Sequence, residues 1–233
     1  MKDVCLVINT FSKYSDLWPM FFDSLERHLP FLKRYVFVDE GEPDSNSTTI
    51  HYDKNEQFRT QFLSCIDKVK EQYCIFISED YIMYNTVRVD LLQKYKDILE
   101  ENKELTFIRF AKGIDLYVLN NKLPYFYSQT AAIWRTRDLE KIFVYSDDSH
   151  IANLDYENSF EYKATKVCEG LDIKGLFCYN GEPKRGIYHH DSFVFPYIAT
   201  ALVKGKWNLS EYKRELEPLL IKYQINPDTR GVQ

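Results

Sequence analysis

The fold is decided by a short apolar stretch that ends in two acids, Cys74-Ile75-Phe76-Ile77-Ser78-Glu79-Asp80. A continuous apolar run of this length is typical of a strand that is buried on both faces of a sheet. Two earlier runs have the same form and also end in polar residues: Val4 to Ile8 before Asn9-Thr10, and Tyr35 to Val38 before Asp39-Glu40. The three runs predict the central strands of one sheet.

The segments between these runs carry apolar residues at helical spacing. One stripe extends from Leu17 to Leu29, with Ser15 or Asp16 as its expected N-cap, and another extends over 58–69. Strands that alternate with helices predict an α/β fold, with right-handed crossovers and a mainly parallel sheet flanked by helices. Further elements are expected as helices over 86–99, 136–141, 158–168 and 209–223, and as strands over 106–110, 116–119 and 131–134.

Length and composition limit the classes of protein to consider. The 233 residues fit one domain better than two. The net charge of -5 argues against broad, sequence-independent binding to nucleic acid, which needs a surplus of Lys and Arg. The five cysteines have no Cys-x-x-Cys spacing, so we expect reduced core residues in a cytoplasmic protein. We expect neither a signal peptide nor a transmembrane segment, which needs roughly 20 apolar residues.

Polar and acidic groups follow all three predicted strands, so they should converge on one edge of the sheet. Ligands of open α/β sheets bind at that edge. A carboxylate at Glu79 or Asp80 can hold Mg²⁺ or Mn²⁺ while the metal binds two phosphate oxygens of a diphosphate. Asp39 is placed to accept hydrogen bonds from a ribose or a base, and Arg59 can pair with phosphate. In the simpler interpretation the acids cap helices or face water, and Arg59 is a surface arginine.

Several short stretches, in their order along the chain, carry a resemblance to a known family. They are Ile8-Asn9-Thr10-Phe11-Ser12 with Asp16-Leu17-Trp18, Phe76-Ile77-Ser78-Glu79-Asp80-Tyr81, Ser128-Gln129-Thr130-Ala131-Ala132-Ile133-Trp134-Arg135, Asn158-Ser159-Phe160-Glu161-Tyr162 and Val203-Lys204-Gly205-Lys206-Trp207-Asn208. The sequence resembles GT-A type glycosyltransferases of the small bacterial and phage-like group. The resemblance implies a single GT-A-like domain over 1–233, with a nucleotide-sugar-binding half at 1–110 and an acceptor-binding half at 111–233.

The resemblance implies a nucleoside-diphosphate-sugar donor and a divalent cation, Mn²⁺ or Mg²⁺. In this family an Asp-x-Asp motif holds the metal and the diphosphate, and Asp80 resembles its final acid. Ser78 stands in place of the first Asp, so Glu79 and a late histidine, His189 or His190, would complete the metal ligands. The groups that would position the nucleotide and its diphosphate are Asn9, Thr10, Asp39, Arg59 and Lys206.

The resemblance also implies an acid at the start of a late helix, beside the acceptor. An acceptor hydroxyl loses its proton as it attacks the anomeric carbon, so a carboxylate within hydrogen-bond reach assists inverting transfer. Glu161 fits that position best, and Glu157 and Asp155 are its competitors. A solvated helix carboxylate is the simpler interpretation of Glu161. The sequence leaves inverting and retaining chemistry open.

Aromatic residues between 125 and 134 are candidates for an acceptor wall, because ring faces pack against the C–H edges of sugars. The candidates are Tyr125, Phe126, Tyr127, Gln129 and Trp134, of which Phe126 and Trp134 are more typical of a core. The acceptor class stays open among a glycan, a lipid-linked sugar, a protein and a modified nucleic-acid base.

Two other functions compete with glycosyl transfer. A nucleotidyltransferase that forms nucleotide-sugars uses a similar sheet and a Gly-rich loop after the first strand, but Asn9-Thr10-Phe11-Ser12-Lys13 has no glycine. A non-catalytic module that binds a glycan or a partner is favoured by Ser78 in place of the first Asp. Donor binding without transfer would identify such a module.

Overall fold

A computed structural model describes residues 1–147, 157, 159–179, 186–188 and 192–233 of the chain. Asp155, His189 and His190 lie outside this part of the chain, so the roles expected of them stay predictions. Within the described ranges, no helix is both long enough and apolar enough to cross a bilayer.

One eight-stranded sheet forms the centre of the molecule. In chain order, the strands are β1 (Val4–Asn9), β2 (Lys33–Val38), β3 (Thr48–His51), β4 (Tyr73–Ser78), β5 (Ile82–Met83), β6 (Leu105–Arg109), β7 (Asp115–Leu119), β8 (Ala132–Arg135), β9 (Lys174–Tyr179), β10 (Tyr197–Ile198), β11 (Leu202–Val203) and β12 (Lys206–Trp207). The helices are α1 (Trp18–His28), α2 (Phe58–Ile66), α3 (Val89–Glu101), α4 (Thr136–Tyr145), α5 (Phe160–Gly170) and α6 (Leu209–Lys222). The large sheet has the order β3-β2-β1-β4-β8-β6-β9-β7, and two short antiparallel pairs, β5 with β10 and β11 with β12, lie outside it.

The large sheet is mainly parallel. Strands β1, β2, β3 and β4 run in one direction, β6 and β9 are parallel to each other, and β7 and β8 are antiparallel to their neighbours. This arrangement confirms the predicted α/β fold. The reversed direction of β8 was not predicted, because an apolar run carries no information about direction. The reversal brings residues 129–131, which precede β8, to the edge at which the parallel strands end.

The central strands are apolar because helices cover both faces of the sheet. Side chains of β1 and β4 alternate between two core clusters, with Leu6 and Ile75 in one and Val7 and Phe76 in the other. Helices α1 and α3 pack on the first face, and α2, α4 and α5 pack on the second. Helix α6 forms a third cluster with the hairpin of β11 and β12. All five cysteines are free and buried, which confirms that they are core residues.

Some elements differ from the expectation based on sequence. Helix α1 begins at Trp18 after a 3-10 turn over Ser12–Tyr14, and neither Ser15 nor Asp16 caps it with a side-chain hydrogen bond. Strands β3 and β9 were not predicted. Strand β3 lies partly in the Ser- and Asp-rich segment 41–49 and has one buried residue, whereas β9 includes a glycine and has exposed ends. Partly exposed strands of this kind lack the continuous apolar run that identified β1, β2 and β4.

Candidate functional site

The carboxyl ends of β1, β2 and β4 bring together the polar residues that the sequence predicted there. Strand β1 lies between the other two, and Asn9 is in register with Phe37 on one side and with Ser78 on the other. Adjacent strand ends at one edge of the sheet therefore carry Asn9, Thr10, Asp39, Glu79 and Asp80.

Glu79 is a buried acid that holds the loop after β1. Only 8% of its surface is exposed. The Thr10 hydroxyl accepts a hydrogen bond from Trp18 Nε1 at 2.8 Å, which leaves its proton to bond the Glu79 carboxylate. The Thr10 carbonyl accepts a hydrogen bond from Tyr52 OH at 2.7 Å. Thr10 thus has a structural role, and its contact with a nucleotide stays a prediction.

Asp80, which keeps some exposed surface, is held by the segment that leads into β11. Its carbonyl accepts a hydrogen bond from Ala201 N at 3.2 Å, and the backbone N–H of Leu202 bonds its carboxylate. The hairpin that follows turns through Lys204, with φ 52°, and Gly205, with φ 78°. Two successive residues of positive φ are typical of a type I′ turn. The hairpin of β11 and β12 therefore starts at the carboxylate that is expected to bind metal.

The carboxylates of Glu79 and Asp80 are difficult to ionise together. Burial, followed by the charge of Asp80, raises the pKa of Glu79 to about 8. Burial also raises the pKa of Asp80 to about 7, although the backbone N–H groups of Asp80 and Leu202 oppose this effect. A cation beside the two carboxylates would favour their ionised forms.

Arg230 is a cation at this edge that was not predicted from the sequence. Its guanidinium forms a two-point ion pair with Asp16, with Nε 2.7 Å from Oδ2, and lies 5.2 Å from the ring centre of Tyr14. The bond to Asp16 raises the pKa of Arg230, and the charge of Glu79 adds to this effect. Arg230 belongs to no sequence motif, and it comes to this edge through the pairing of residues 231–233 with Trp207 of β12.

Asn9 and Asp39 differ in how far their polar atoms are already paired. Asn9 Oδ1 is buried and has no hydrogen-bond partner in the described part of the chain. Asp39 accepts hydrogen bonds from Ser12 N and from Ser12 Oγ, both at 2.7 Å, and so holds the 3-10 turn in place. A buried oxygen without a donor is costly unless a ligand supplies one. Asn9 is therefore the better candidate for a nucleotide contact.

Glu161 lies in the first turn of α5, whose N-cap is Ser159. Its Oε1 accepts a hydrogen bond from Gln129 N at 2.8 Å. Burial has the largest effect on Glu161 and raises its pKa. The hydrogen bond from the backbone N–H of Gln129 and, to a smaller extent, the charge of Arg109 oppose this effect. A raised pKa brings a carboxylate closer to the range in which a general base works at neutral pH.

Gln129 connects the two acidic regions through its main chain. Its N–H donates to Glu161, and its carbonyl accepts a hydrogen bond from Tyr81 OH at 2.7 Å. Tyr81 follows Asp80 directly in the chain. The segment before β8 therefore joins the end of β4 to the start of α5.

Arg109, the last residue of β6, is a second cation that was not predicted. Its Nη2 donates to the Phe126 carbonyl, and its Nε is buried without a hydrogen-bond partner among the described residues. Burial lowers the pKa of Arg109 to about 10, and the charge of Glu161 is the strongest opposing influence. Arg109 falls within the strand expected over 106–110, and a position inside a strand gives no sign of a charged group at the site.

The remaining predicted residues are placed as follows. Arg59 donates from Nε to the Phe143 carbonyl at 2.8 Å and from Nη2 to the Val144 carbonyl at 2.9 Å. Arg59 thereby caps the last turn of α4. This structural role explains an arginine at position 59 even if it binds no phosphate. Lys206 is exposed on β12, and Glu157, a competitor for the base, is exposed as well. The ligand roles of Arg59 and Lys206 stay predictions.

The metal ligands expected at this edge are described only in part. Within the described ranges, no three His, Cys, Asp or Glu side chains are arranged to hold a metal ion. Glu79 and Asp80 supply carboxylate oxygens, which Mg²⁺ and Mn²⁺ prefer as ligands. His189 and His190, the expected helpers, lie outside those ranges.

Most of the rings expected in an acceptor wall are core residues. Phe126 and Tyr127 are 0% exposed and Trp134 is 1% exposed. Trp134 stacks on Phe107 with ring centroids 4.2 Å apart. Burial confirms the core interpretation of Phe126 and Trp134 and shows that Tyr127 cannot line a wall. Tyr125 remains the exposed ring of this set.

An open groove of about 640 Å³ lies apart from the acidic edge, between α1, β5 and α6. Its lining includes Arg27, His28 and Arg214, and none of the predicted site residues. The acidic edge is therefore identified by its chemistry and not by the size of a cavity.

No protein-family model matches this sequence, and no curated protein matches it. Solved structures do match the fold. Residues 1–349 of TarS from S. aureus match with a TM-score of 0.53, covering 98% of this chain and 66% of that chain at 12% identity. A CMP:2-keto-3-deoxy-manno-octonic acid synthetase complexed with CTP matches with a TM-score of 0.51, covering 80% of this chain and 93% of that chain at 11% identity.

A mannosyltransferase from Pyrobaculum calidifontis, in complex with GDP-Man and Mn²⁺, matches less well. Its TM-score is 0.49, and the match covers 80% of this chain and 59% of that chain at 12% identity. A likeness at this level supports no inference. At these identities, the two better matches show the fold alone.

Proposed function

Because the chain has the Rossmann-like α/β fold that GT-A type glycosyltransferases share with nucleotidyltransferases, we propose that it is a glycosyltransferase. The donor is a nucleoside-diphosphate-sugar, and the acceptor is a hydroxyl group. One observation carries this function above all. Glu79 and Asp80, two acids with raised pKa values, directly follow the central strand β4, and the positive charge of Arg230 acts on Glu79.

The acidic pair fits a divalent cation in the chemistry of its ligands. Asp80 is the direct ligand, because it keeps exposed surface, whereas Glu79 is bonded to Thr10 and shapes the site. When bound, Mg²⁺ or Mn²⁺ supplies positive charge that neutralises a departing diphosphate. Arg230 supplies positive charge from the chain itself at the same edge.

The nucleotide lies against the ends of β1 and β2. Asn9 Oδ1, which has no partner among the described residues, accepts a hydrogen bond from the nucleoside. Asp39 acts mainly through Ser12, whose turn it fixes beside the nucleotide. These contacts would hold the donor so that its sugar extends toward β6 and α5.

Glu161 accepts the proton of the acceptor hydroxyl. The bond that forms joins the acceptor oxygen to the anomeric carbon, and the bond that breaks joins that carbon to the diphosphate. The N–H of Gln129 orients the Glu161 carboxylate, and the positive charge of Arg109 favours its ionised form before the proton is taken. This arrangement describes inverting transfer.

The loop after β1 favours sugar transfer over nucleotidyl transfer. Nucleotidyl transfer needs backbone N–H groups around the phosphates, which Gly-rich loops with positive φ angles supply. None of residues 10–17, all of them described, has a positive φ. Residues 12–14 instead form a 3-10 turn that is closed by Asp39. The loop therefore lacks the shape of a phosphate-binding nest.

A panel of nucleotide-sugars and nucleoside triphosphates, each with and without Mn²⁺, tests the function. Thermal shift reports binding, since a ligand that binds only the folded state raises the melting temperature. Release of nucleoside diphosphate from a nucleotide-sugar, dependent on an acceptor, is the expected result. Release of pyrophosphate from a nucleoside triphosphate would instead identify a nucleotidyltransferase. Binding without either release would identify a non-catalytic module.

The role of Asp80 is tested by Asp80→Asn, which keeps the size of the side chain. We expect turnover to fall by about 100-fold or more, with an unchanged fold by circular dichroism. Asp97→Asn is the matched control, because Asp97 lies on α3 with a side chain that is 51% exposed. Near-normal turnover of Asp80→Asn would remove Asp80 from the metal site.

A further inference from the structure

Three aromatic side chains on β7 and β9 form an exposed cluster, here called the aromatic platform: Tyr117, Phe177 and Tyr179. The ring centroid of Tyr117 lies 5.9 Å from that of Phe177 and 6.2 Å from that of Tyr179, and the last two are 6.1 Å apart. Tyr117 is 49% exposed and Tyr179 is 41% exposed. Aromatic rings usually lie in the core, so a contiguous exposed group of them is typical of a binding surface.

The aromatic platform continues the face of the sheet on which Arg109 lies. Phe177 is in register with Arg109 on one side and with Tyr117 on the other. Residues in register point to the same face of a sheet. Adjacent strands are ~4.8 Å apart, so the platform begins about one strand spacing from Arg109.

Arg109 connects the platform to the proposed base. The charges of Arg109 and Glu161 are close enough for each to influence the pKa of the other. The carbonyl of Phe126 holds the Arg109 guanidinium in place. Arg109 therefore lies between Glu161, on which its charge acts, and the three rings, whose Phe177 is its partner in register.

We propose that the aromatic platform binds sugar units of the acceptor, which is an oligosaccharide or polysaccharide chain. This inference rests on the proposed function, because it names the acceptor class of the same site. The C–H face of a sugar packs against an aromatic ring, and the tyrosine hydroxyls can bond sugar hydroxyls at the rim. Strand β9 separates β6, which carries Arg109, from β7, so the platform serves an acceptor that has further sugar units beyond the one at Glu161.

The test measures binding of purified protein to an array of defined oligosaccharides, including glucans, chitin oligomers and mannans. Tyr117→Ala and Tyr179→Ala each remove one exposed ring, and Phe177 is left intact because it is more buried. Val118→Ala is the control, because Val118 is 80% exposed on the same strand but points to the other face. We expect wild type to bind at least one glycan, and each tyrosine variant to bind it about three- to tenfold more weakly.

Two results would overturn the inference. One is that wild type binds no glycan on the array, and the other is that Tyr117→Ala and Tyr179→Ala bind as well as Val118→Ala. In the second case, a change in the oligomeric state of the tyrosine variants, measured by light scattering, would identify the platform as a protein interface. Donor binding is measured separately by thermal shift. Glycan binding without any nucleotide-sugar binding would keep the platform and refute the proposed transferase, whereas the reverse would refute the platform alone.

Discussion

Replacing Arg230 with glutamine removes a cation that the structure places beside Glu79. The substitution keeps a polar side chain of similar length but removes the two-point ion pair with Asp16 and the stacking on Tyr14. If Arg230 contributes positive charge to a bound diphosphate, the variant should lose donor affinity as well as some stability.

The two effects differ in size. The side chains of Arg230 and Asp16 are 17% and 47% exposed, so the ion pair is worth about 1 kcal/mol or less. The contact with Tyr14 adds about 0.5–1 kcal/mol. Together they correspond to a fall of roughly 1–8 °C in melting temperature for a chain of this size. A hydrogen bond from a charged group to phosphate is worth about 1.5–3 kcal/mol, which corresponds to a loss of about 10- to 100-fold in donor affinity.

Isothermal titration with the best nucleotide-sugar, and with the matching nucleoside diphosphate, measures the loss directly. Arg88→Gln is the control, because Arg88 directly precedes α3 and forms an ion pair with Asp90 at 2.7 Å, with both side chains more than half exposed. Arg88→Gln should leave donor affinity within twofold of wild type. If Arg230→Gln also binds the donor within twofold of wild type, Arg230 serves only to hold Tyr14 and Asp16 in place and does not act on the diphosphate.

Three further predictions concern the acceptor side and the core. Glu161→Gln should lower kcat by about 100-fold with little change in donor affinity. The control Glu169→Gln, farther along α5, should change neither quantity. If Glu161→Gln lowers kcat and donor affinity equally, Glu161 has a structural role. Burial raises the pKa of Glu161 above that of an exposed glutamate, so its ionisation costs stability as pH rises from the pKa of the unfolded chain through the pKa of the folded one. The melting temperature of wild type should therefore fall more steeply with rising pH than that of Glu161→Gln, and parallel slopes would contradict this. Gly175→Ala should destabilise the fold by about 1–3 kcal/mol in urea unfolding, because its Cβ would lie 2.3 Å from the Phe107 ring, whereas Gly170→Ala, with nothing within 4 Å, should not.

The centre of the sheet was predictable because each central strand is buried on both faces and reads as an unbroken apolar run. The same rule did not reveal β3 and β9, whose exposed positions interrupt the apolar pattern. It also gave no direction for β8, because strand direction depends on how the chain returns to the sheet. These features are set by tertiary contacts and not by local sequence.

The acids of the site were predictable because they follow those apolar runs, but their partners were not. Asp16, expected together with Ser15 as a possible N-cap of α1, instead pairs with Arg230, which is 214 positions away in the chain. Arg59 precedes the acidic strand and so resembled a phosphate ligand, but the carbonyls at the end of α4 accept its hydrogen bonds. Sequence spacing does not show which helix ends beside a given side chain. Only the fold brings these groups together.

The two hydrogen bonds of Gln129 have a consequence for how this edge can vary. Both are made by main-chain atoms, with the N–H on Glu161 and the carbonyl on Tyr81. The backbone of Gln129 therefore helps to set the distance between Asp80, which precedes Tyr81, and Glu161 of α5. This contribution does not depend on the side chain at position 129. Tyr81→Phe, which removes the hydroxyl, would break the hydrogen bond to the Gln129 carbonyl and free this segment from the end of β4, while its bond to Glu161 would remain.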